Sequence, residues 1–309
     1  MIKRRNIFYK DWLQYWLESK KKFVKESTYS TYNILIHNHI IPSLGDLRLN
    51  ELNKEQLQQF IFTKADTLSI KTIKSIMSII KSSIKKAIKE NRIKQFDLTF
   101  TYPNARTRRT IEIFETSEQR KLLCYCNQNP SNANIGIMLS LYTGIRIGEL
   151  SALQWKHIDL KNNVISIEKT LQRIYIRDEN SSKTKIIISL PKTFNSIRKI
   201  PISKEFSNIL KNIKGDENDY LISGTSHYIE PRTYRRYFKR ILIEIKIRIL
   251  HFHCLRHSFA TNCINLKIDP KTVSELLGHS SVQTTLNLYV HPTMQAKARC
   301  INQLYNSLL

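Results

Sequence analysis

The sequence changes character at residues 96–112, and this change divides the chain into two parts. Before it, apolar residues recur with helical spacing; within it the spacing is lost, and Pro103 is followed by three arginines. After it, helical segments are mixed with short strand-like ones. A chain of 309 residues usually forms two domains. We therefore predict a helical domain at 1–95, a linker at 96–112 and a mixed α+β domain at 113–309.

The first part contains one strongly amphipathic segment, residues 69–93. Its apolar residues recur every three or four positions, which predicts a helix with one buried face. Four lysines form a stripe on another face: Lys74, Lys81, Lys85 and Lys89. Such a stripe suits a row of DNA phosphates, but a solvated helix face looks the same. An earlier helix is expected to be capped by Ser27 and Thr28 and to be stopped by Pro42.

The charge of the chain indicates a polyanionic partner. Lysine and arginine number 50 against 25 acidic residues, a formal net charge of +25. Residues 1–100 carry +10 of this charge and the remainder carries +15, so the excess is not confined to one tail. Nucleic acid is the simplest partner for such a surface. The alternative is a solvated surface in a lysine-rich composition.

The cysteines and the hydropathy pattern exclude several classes of protein. The five cysteines show no paired C-x-x-C spacing, so neither a zinc site nor a disulfide framework is predicted. Reduced thiols fit a cytoplasmic protein. We expect neither membrane insertion nor secretion, because no apolar run of about eighteen residues and no signal-peptide pattern is found.

The second part opens with a candidate phosphate-binding arginine. Residues 134–142 are typical of a buried helix, which leads into Thr143-Gly144. Arg146 follows at the start of a short helix, and Glu149 lies three residues further on, on the same face. Glu149 can therefore orient Arg146. Taken alone, this pattern is a simple ion pair.

Three strand-like segments come next, at 164–169, 184–190 and 197–202, and they predict a small antiparallel sheet. Lys192 lies in the turn between the last two. A lysine at a hairpin tip is often only solvated. The nearby residues Lys183, Lys185 and Lys199 compete with it as a functional lysine.

The stretch 251–291 is the richest in chemistry. It brings His253, Arg256, His279 and Tyr289 within thirty-seven residues of one another. A guanidinium binds two phosphate oxygens at once, an imidazole moves a proton near neutral pH, and a phenol can act as a covalent nucleophile. Each residue alone is more simply explained as a packed structural side chain. Three further histidines are assigned supporting roles: His251, His257 and His291.

These motifs together resemble the tyrosine recombinases, the phage-type integrases. The resemblance lies in TGIRIGEL at 143–150, PKTFNSIRKIPI at 191–202, the H-x-L-R-H run, L-G-H, and a tyrosine ten residues beyond it. In this order they match the six active-site positions of that family: Arg146, Lys192, His253, Arg256, His279 and Tyr289. The phrase I-P-x-L-G at 41–45 adds a weak match in the first part.

The resemblance implies a fold and an activity. The fold would be mainly α with a small antiparallel β-sheet: a helical core-binding domain that clamps DNA, and a mixed α+β catalytic domain of the DNA breaking-rejoining type. Tyr289 would attack a phosphorus atom and form a 3′-phosphotyrosyl link. Arg146 and Arg256 would neutralise the phosphate without a metal or another cofactor, since no carboxylate cluster accompanies the histidines. His253 would move the tyrosine proton, His279 would bind a phosphate oxygen, and Lys192 would protonate the departing 5′ oxygen.

The implied partners are double-stranded DNA at recombination or attachment sites and three further copies of the chain. An accessory DNA-bending or excision factor is a further expected partner, and a membrane is not. The location would be the cytoplasm, at the nucleoid, and the function integration or excision of a mobile element. Two alternatives are a type IB topoisomerase, which shares the chemistry, and a DNA-binding regulator with a degenerate site.

Overall fold

Two compact units make up the chain. The computed structural model describes residues 7–104, 111–176, 183–191, 196–289 and 294–308. The first unit comprises Met1–Arg109 with Arg173–Lys185, and the second comprises Thr110–Gln172 with Ile186–Leu309. The domain limits at 1–95, 96–112 and 113–309 stay a prediction.

The described N-terminal part of the first unit is mainly helical. Its α-helices are α1 (Tyr9–Lys20), α2 (Glu26–Leu35), α3 (Ile41–Leu44), α4 (Lys54–Ala65) and α5 (Ile70–Lys89). The predicted amphipathic helix is confirmed as α5, and Ser69 caps it by accepting a hydrogen bond from the Thr72 amide at 3.2 Å. The predicted apolar stripe of α5 is buried against α1 and α4.

Ser83 ties α5 to α1 inside this core. Its hydroxyl lies 2.8 Å from the Tyr9 hydroxyl, and its carbonyl accepts the Trp12 indole N–H at 3.0 Å. All three side chains are buried. The polar groups of two large aromatic residues are therefore satisfied where water cannot reach them.

Pro42 does not end the second helix, so that prediction was wrong. A π-helical segment at Ile36–Ile40 follows α2 and leads directly into α3. Pro42 lies in the first turn of α3, where its missing N–H costs little. The cap also differs from the prediction: Lys25 is the N-cap residue, and Ser27 lies buried inside α2.

The stretch 96–102 is attached to the first unit. Alternate residues pack against its core: Phe96, Leu98, Phe100 and Tyr102. Thr101 exchanges two hydrogen bonds with the Gln58 side chain, at 2.9 and 3.0 Å, and Asp97 pairs with Lys54 at 2.6 Å. The spacing of two residues is typical of extended chain. This part of the predicted linker is thus fixed to α4 and α5.

The second unit contains nine described α-helices and three complete strands, and two further strands have residues in both units. The helices are α6 (Thr116–Gln128), α7 (Asn132–Thr143), α8 (Ile147–Ser151), α9 (Lys204–Lys211), α10 (Pro231–Glu244), α11 (His253–Asn265), α12 (Pro270–Leu277), α13 (Val282–Tyr289) and α14 (Met294–Ser307). The strands are β1 (Ile158–Asp159), β2 (Val164–Ile167), β3 (Thr170–Tyr175), β4 (Thr184–Ser189) and β5 (Arg198–Pro201).

The described strands form two small sheets, whereas one was predicted. Strand β2 pairs antiparallel with both β1 and β5, and Ile165 faces Ile200 across the ladder. Strand β4 pairs with β3, which the sequence analysis did not identify. The predicted segment 184–190 therefore belongs to a different sheet from 164–169 and 197–202. The fold class itself, mainly α with small antiparallel sheet structure, is confirmed.

A separate apolar cluster lies at the C-terminal end of the second unit. It joins α11, α12 and α13 through Phe259, Ala260, Val273, Leu277 and Tyr289. This apolar cluster therefore holds α12 and α13 close to α11. Among the described helices, none has the length and apolar character needed to cross a membrane.

The core of the first unit should depend on the buried face of α5. Replacing Ile80, which is fully buried, by alanine is expected to lower the free energy of unfolding by about 2–5 kcal/mol, because it leaves a cavity. Urea denaturation followed by circular dichroism measures this change. The control is Ser78→Ala on the exposed face of the same helix, which should change stability by less than about 0.5 kcal/mol. Equal losses in the two variants would contradict this assignment of faces.

Candidate active site

The C-terminal end of α12 binds three arginines through its main chain. The carbonyl oxygen of Leu276 accepts the Arg198 Nε–H at 2.6 Å, that of Leu277 accepts from Arg256 Nη2 at 2.8 Å, and that of Gly278 accepts from Arg146 Nη2 at 2.8 Å. The last carbonyls of a helix have no partner within it, and they carry the negative end of the helix dipole. Three consecutive carbonyl groups therefore bind three cationic side chains.

Two glycines shape this arrangement. Gly278 ends α12 with a φ of +65°, and Gly144 ends α7 with a φ of +63°. These left-handed conformations favour glycine. At Gly144 a Cβ would lie 2.6 Å from both Leu277 Cδ2 and Phe259 Cδ1, so the absence of a side chain lets α7 approach α11 and α12. The Gly144 carbonyl then accepts a hydrogen bond from Arg256 Nη1 at 2.7 Å.

Glu149 is the carboxylate that orients two of the arginines. It is buried, and its Oε1 accepts from Arg146 Nη1 at 2.7 Å, which confirms the predicted contact. Its Oε2 accepts from Arg198 Nη2 at 2.9 Å. Burial pushes the pKa of Glu149 up, but the charges of Arg198 and Arg146 outweigh burial and lower it overall. Glu149 is therefore ionised at neutral pH.

Arg256 is a buried cation that donates hydrogen bonds to two main-chain oxygens. Its exposed fraction is 2 %, and among the described residues no carboxylate lies within ion-pair distance of it. Burial and then the charge of Arg146 lower the pKa of Arg256 to about 9, which still leaves it charged at neutral pH. Three guanidiniums against the one carboxylate of Glu149 give this part of the site a charge of +2. An anion placed here would relieve that excess.

The histidines of the site are neutral at pH 7. Burial, followed by the charges of Arg256 and Arg146, lowers the pKa of His279 to about 4. Its Nδ1 lies 2.8 Å from the hydroxyl of Thr285, which fixes the ring. The pKa of His253 also falls, through desolvation and through the neighbouring His257, Arg256 and Arg146, although the residue as a whole keeps an exposed surface. Neutral rings can bind phosphate oxygens or accept protons.

Tyr289 ends α13 and is buried with an exposed fraction of 8 %. Its hydroxyl lies 2.6 Å from Nδ1 of His257. Burial raises the pKa of Tyr289, while the charge of Arg256 opposes this rise. The phenol is therefore protonated at neutral pH, and it lies close enough to Arg256 to feel its charge.

The structure brings together most of the residues that the sequence singled out. Arg146, His253, Arg256 and His279 influence one another electrostatically. Lys192 lies outside the described residues. Of the competing lysines, Lys185 pairs with Glu26 in the first unit.

Sequence reasoning missed two contributions. Arg198, which donates to Glu149 and to the end of α12, stands in the stretch PKTFNSIRKIPI, but only Lys192 was singled out there. His257 was assigned a supporting role, although it lies one helical turn after His253 and therefore on the same face of α11.

The four lysines of α5 fall into two pairs. Lys74 and Lys81 have their ammonium groups 5.3 and 5.0 Å from the ring centroids of Tyr102 and Phe100. Lys85 and Lys89 are exposed. Cation–π contacts are worth about 0.5–1 kcal/mol at exposed sites, so the first pair is partly engaged within the chain.

Among the described residues, no group of three or more histidine, cysteine, aspartate or glutamate side chains could hold a metal ion. Arg146, Arg198 and Arg256 are the cations that the structure places at the end of α12. The metal-free mechanism stays a prediction.

Comparison with known proteins identifies the family. The phage integrase family matches residues 112–296, more than half of the chain, and the N-terminal SAM-like domain of phage integrases matches residues 8–64. The chain belongs to the phage integrase family. The first match covers every described residue of the arginine and histidine site.

Individual relatives agree with this assignment. A protein named "Tyrosine recombinase XerC-like" from Caldanaerobacter subterraneus subsp. tengcongensis is 27% identical over 95% of this chain and 82% of its own length. The Tn1549 transposon integrase, solved with circular intermediate DNA, has a TM-score of 0.75 at 21% identity and covers 96% of this chain and 100% of that chain. A lambda integrase tetramer bound to a Holliday junction gives a TM-score of 0.63 at 20% identity, covering 89% and 78%. The two structures show a common fold.

Replacing Glu149 by glutamine should destabilise the fold, because it removes the negative charge that balances the arginines. The variant keeps the shape of the side chain but leaves two arginines without their carboxylate, so we expect a loss of about 3–5 kcal/mol in the free energy of unfolding at pH 7. Because the folded pKa of Glu149 lies below its ordinary value of 4.5, its stabilisation is complete above that pH and is lost as the pH falls through the folded pKa. Urea denaturation between pH 3 and pH 7 measures both effects.

The control for this experiment is Glu275→Gln, which removes an exposed carboxylate from α12. It should lie within about 0.5 kcal/mol of the parent chain at pH 7. A Glu149→Gln variant as stable as this control would mean that the carboxylate does not hold the arginines.

Proposed function

We propose that the chain is a site-specific DNA recombinase that cleaves and rejoins DNA strands through a 3′-phosphotyrosyl intermediate, and so integrates or excises a mobile element. The observation that carries this proposal is the cluster of three arginines at the end of α12, balanced by a single carboxylate, with a buried phenol beside Arg256. A phosphodiester is the anion that fits such a site. The family and the name of the curated relative support the same activity.

The proposed chemistry assigns a role to each group. Arg146 and Arg256 bind the non-bridging oxygens of the scissile phosphate and stabilise the charge that develops on them. The Tyr289 oxygen attacks phosphorus, the bond to the 5′ oxygen breaks, and Lys192 supplies the proton that this oxygen takes. Because a phosphotyrosyl ester keeps the energy of the broken bond, the 5′-hydroxyl of another strand can reverse the step without ATP. The role of Lys192 rests on its motif alone.

Neutral histidines suit the remaining tasks. His279, held by Thr285 beside the arginines, donates its Nε2–H to a phosphate oxygen. His253 lies at the solvent-accessible side of the site, where a DNA backbone would arrive. Both rings are uncharged at neutral pH, so they bind the phosphate without adding to the charge that the fold must accommodate.

The proposed partners follow from the same chemistry. The substrate is double-stranded DNA that carries recombination or attachment sites, and the formal charge of +25 favours its binding. Strand exchange between two duplexes requires four cleavages, hence four copies of the chain; the lambda integrase tetramer on a Holliday junction is a precedent in the same fold. An accessory DNA-bending or excision factor would set the direction. The chain would act in the cytoplasm, at the nucleoid.

The proposal is tested by trapping the covalent intermediate. The chain is incubated with nicked duplexes that carry its attachment sequence, in buffer containing EDTA, and protein–DNA adducts are separated under denaturing conditions. We expect an adduct with the parent chain and none with Tyr289→Phe, because the latter lacks the attacking oxygen. The control Tyr142→Phe removes the hydroxyl of a half-exposed tyrosine and should leave the yield unchanged.

Two outcomes would contradict the proposal. If the Tyr289→Phe variant still formed an adduct, the nucleophile would be a different residue. A strict requirement for magnesium would contradict the metal-free mechanism. Relaxation of supercoiled DNA by a single copy, without strand exchange, would instead favour a type IB topoisomerase.

The two pairs of lysines on α5 should differ in their contribution to DNA affinity. Replacing exposed Lys85 and Lys89 by alanine is expected to weaken binding for all sequences and to lower the slope of log K against log salt by about 2, because two phosphate contacts are lost. Replacing Lys74 and Lys81 should have a smaller effect on the slope, because these ammonium groups already lie over aromatic rings. Fluorescence anisotropy at several salt concentrations measures both slopes. Equal slopes for the two double variants would contradict the distinction.

A further inference from the structure

His257 contacts the atom that the proposed reaction depends on. Its Nδ1 lies 2.6 Å from the hydroxyl oxygen of Tyr289, and the two ring centroids are 5.7 Å apart. The contact joins α11 to α13 across thirty-two residues of sequence. Both side chains are at least partly buried, so water competes little for the hydrogen bond.

We propose that His257 is the general base that takes the proton of Tyr289 during strand cleavage and returns it during rejoining. The resemblance to the family assigned this proton to His253. The inference rests on the proposed function, since it concerns the same reaction, and it names the group that activates the nucleophile.

The proton transfer is balanced in both directions. As the Tyr289 oxygen forms its bond to phosphorus, the O–H bond breaks and the proton passes to Nδ1 of His257, which becomes an imidazolium. The 5′ oxygen leaves with a separate proton from its own acid. In rejoining, a 5′-hydroxyl attacks phosphorus, the bond to the tyrosine oxygen breaks, and the imidazolium returns its proton to that oxygen.

The surroundings of His257 keep its Nδ1 available as an acceptor. Burial and then the charge of Arg256 lower the pKa of His257, so the ring is neutral at pH 7. The phenol remains protonated, because burial raises the pKa of Tyr289. Tyr289 therefore donates and Nδ1 accepts, with the ring proton of His257 on Nε2. Developing imidazolium charge would be favoured by the phosphate that the arginines bind.

His253 is placed to hold the ring of His257. The two rings meet edge to face, with centroids 4.6 Å apart and an interplanar angle of 85°. Among the hydrogen bonds between described side chains, the one that Tyr289 donates is accepted by His257. Within the described part of the chain, the charged and titratable groups recorded in contact with His257 or acting on its charge are Arg256 and His253 on its own helix and Tyr289 on α13.

The experiment compares two replacements of His257 in single-turnover cleavage of the nicked substrate. In His257→Asn the side-chain oxygen can occupy the position of Nδ1 and accept the same hydrogen bond, but it cannot take up a proton. In His257→Ala both functions are lost. A general base predicts that both variants form the Tyr289 adduct more slowly, by about 10²- to 10⁴-fold. If the asparagine variant keeps a rate near that of the parent chain, His257 only positions the tyrosine and the proposal is wrong.

Two further measurements separate proton transfer from damage to the fold. Added imidazole should raise the rate of His257→Ala and leave Tyr289→Phe inactive; no effect of imidazole on a folded His257→Ala variant would count against the proposal. A substrate with sulfur in place of the bridging 5′ oxygen needs no proton on its leaving group. It should restore cleavage to Lys192→Ala and not to His257→Asn, and restoration of the latter would reassign His257 to the leaving group.

The control is His227→Asn, which makes the same substitution at an exposed histidine in the loop before α10. Its cleavage rate and its thermal unfolding midpoint should equal those of the parent chain. Different results would overturn the two proposals: a parent chain that forms no Tyr289-dependent adduct contradicts the proposed function, whereas an active parent with an active His257→Asn variant contradicts only the assignment of the base.

Discussion

The site depends on the interaction between the end of one short helix and three guanidinium groups. Each of the last carbonyls of α12 holds an arginine from a different element: Arg146 before α8, Arg198 at the start of β5, and Arg256 on α11. Cations at a helix C-terminus are stabilised by the dipole, typically by about 0.3–1 kcal/mol each. That is small beside the cost of burying Arg256. The folded chain therefore carries an electrostatic strain that a bound phosphate would relieve, a common property of functional sites.

The site could not be predicted from periodicity alone, because several of its contacts join residues that are far apart in the sequence. Contacts between Arg256 and Gly144, and between Arg198 and Glu149, join residues 112 and 49 positions apart. Spacing along a helix predicted the contact between Arg146 and Glu149, because those residues are three apart. It could not predict that Arg198 would share the carboxylate, since that depends on where β5 begins. The resemblance of the motifs supplied the other site residues, but it gave His257, which lies within the motif, only a supporting role.

In the fold as well, features set by neighbouring residues were predictable and features set by residues far apart in the sequence were not. The stripe of α5 was predictable because burial of one helix face leaves a period in the sequence. The assignment of β4 to β3 was not, because a short strand carries no information about its partner. The prediction at Pro42 was wrong for a different reason. A proline stops a helix only where its backbone N–H would be needed for a hydrogen bond. Pro42 follows the π-helical segment and lies in the first turn of α3, where that N–H is not needed. In the stretch 96–102 every second residue packs against the core, but polar residues lie between them and this alternation was not recognised in the sequence.

The arginines are held by main-chain oxygens, and this has a consequence for variation of the chain. Exchanging Leu276 or Leu277 for another apolar residue changes packing but leaves the acceptor atoms where they are. Gly278 is different, because its left-handed φ both ends the helix and orients its own oxygen toward Arg146. The binding of the arginines therefore tolerates substitution at two of these three positions and not at the third, so chains with little overall identity can keep the same arrangement of arginines.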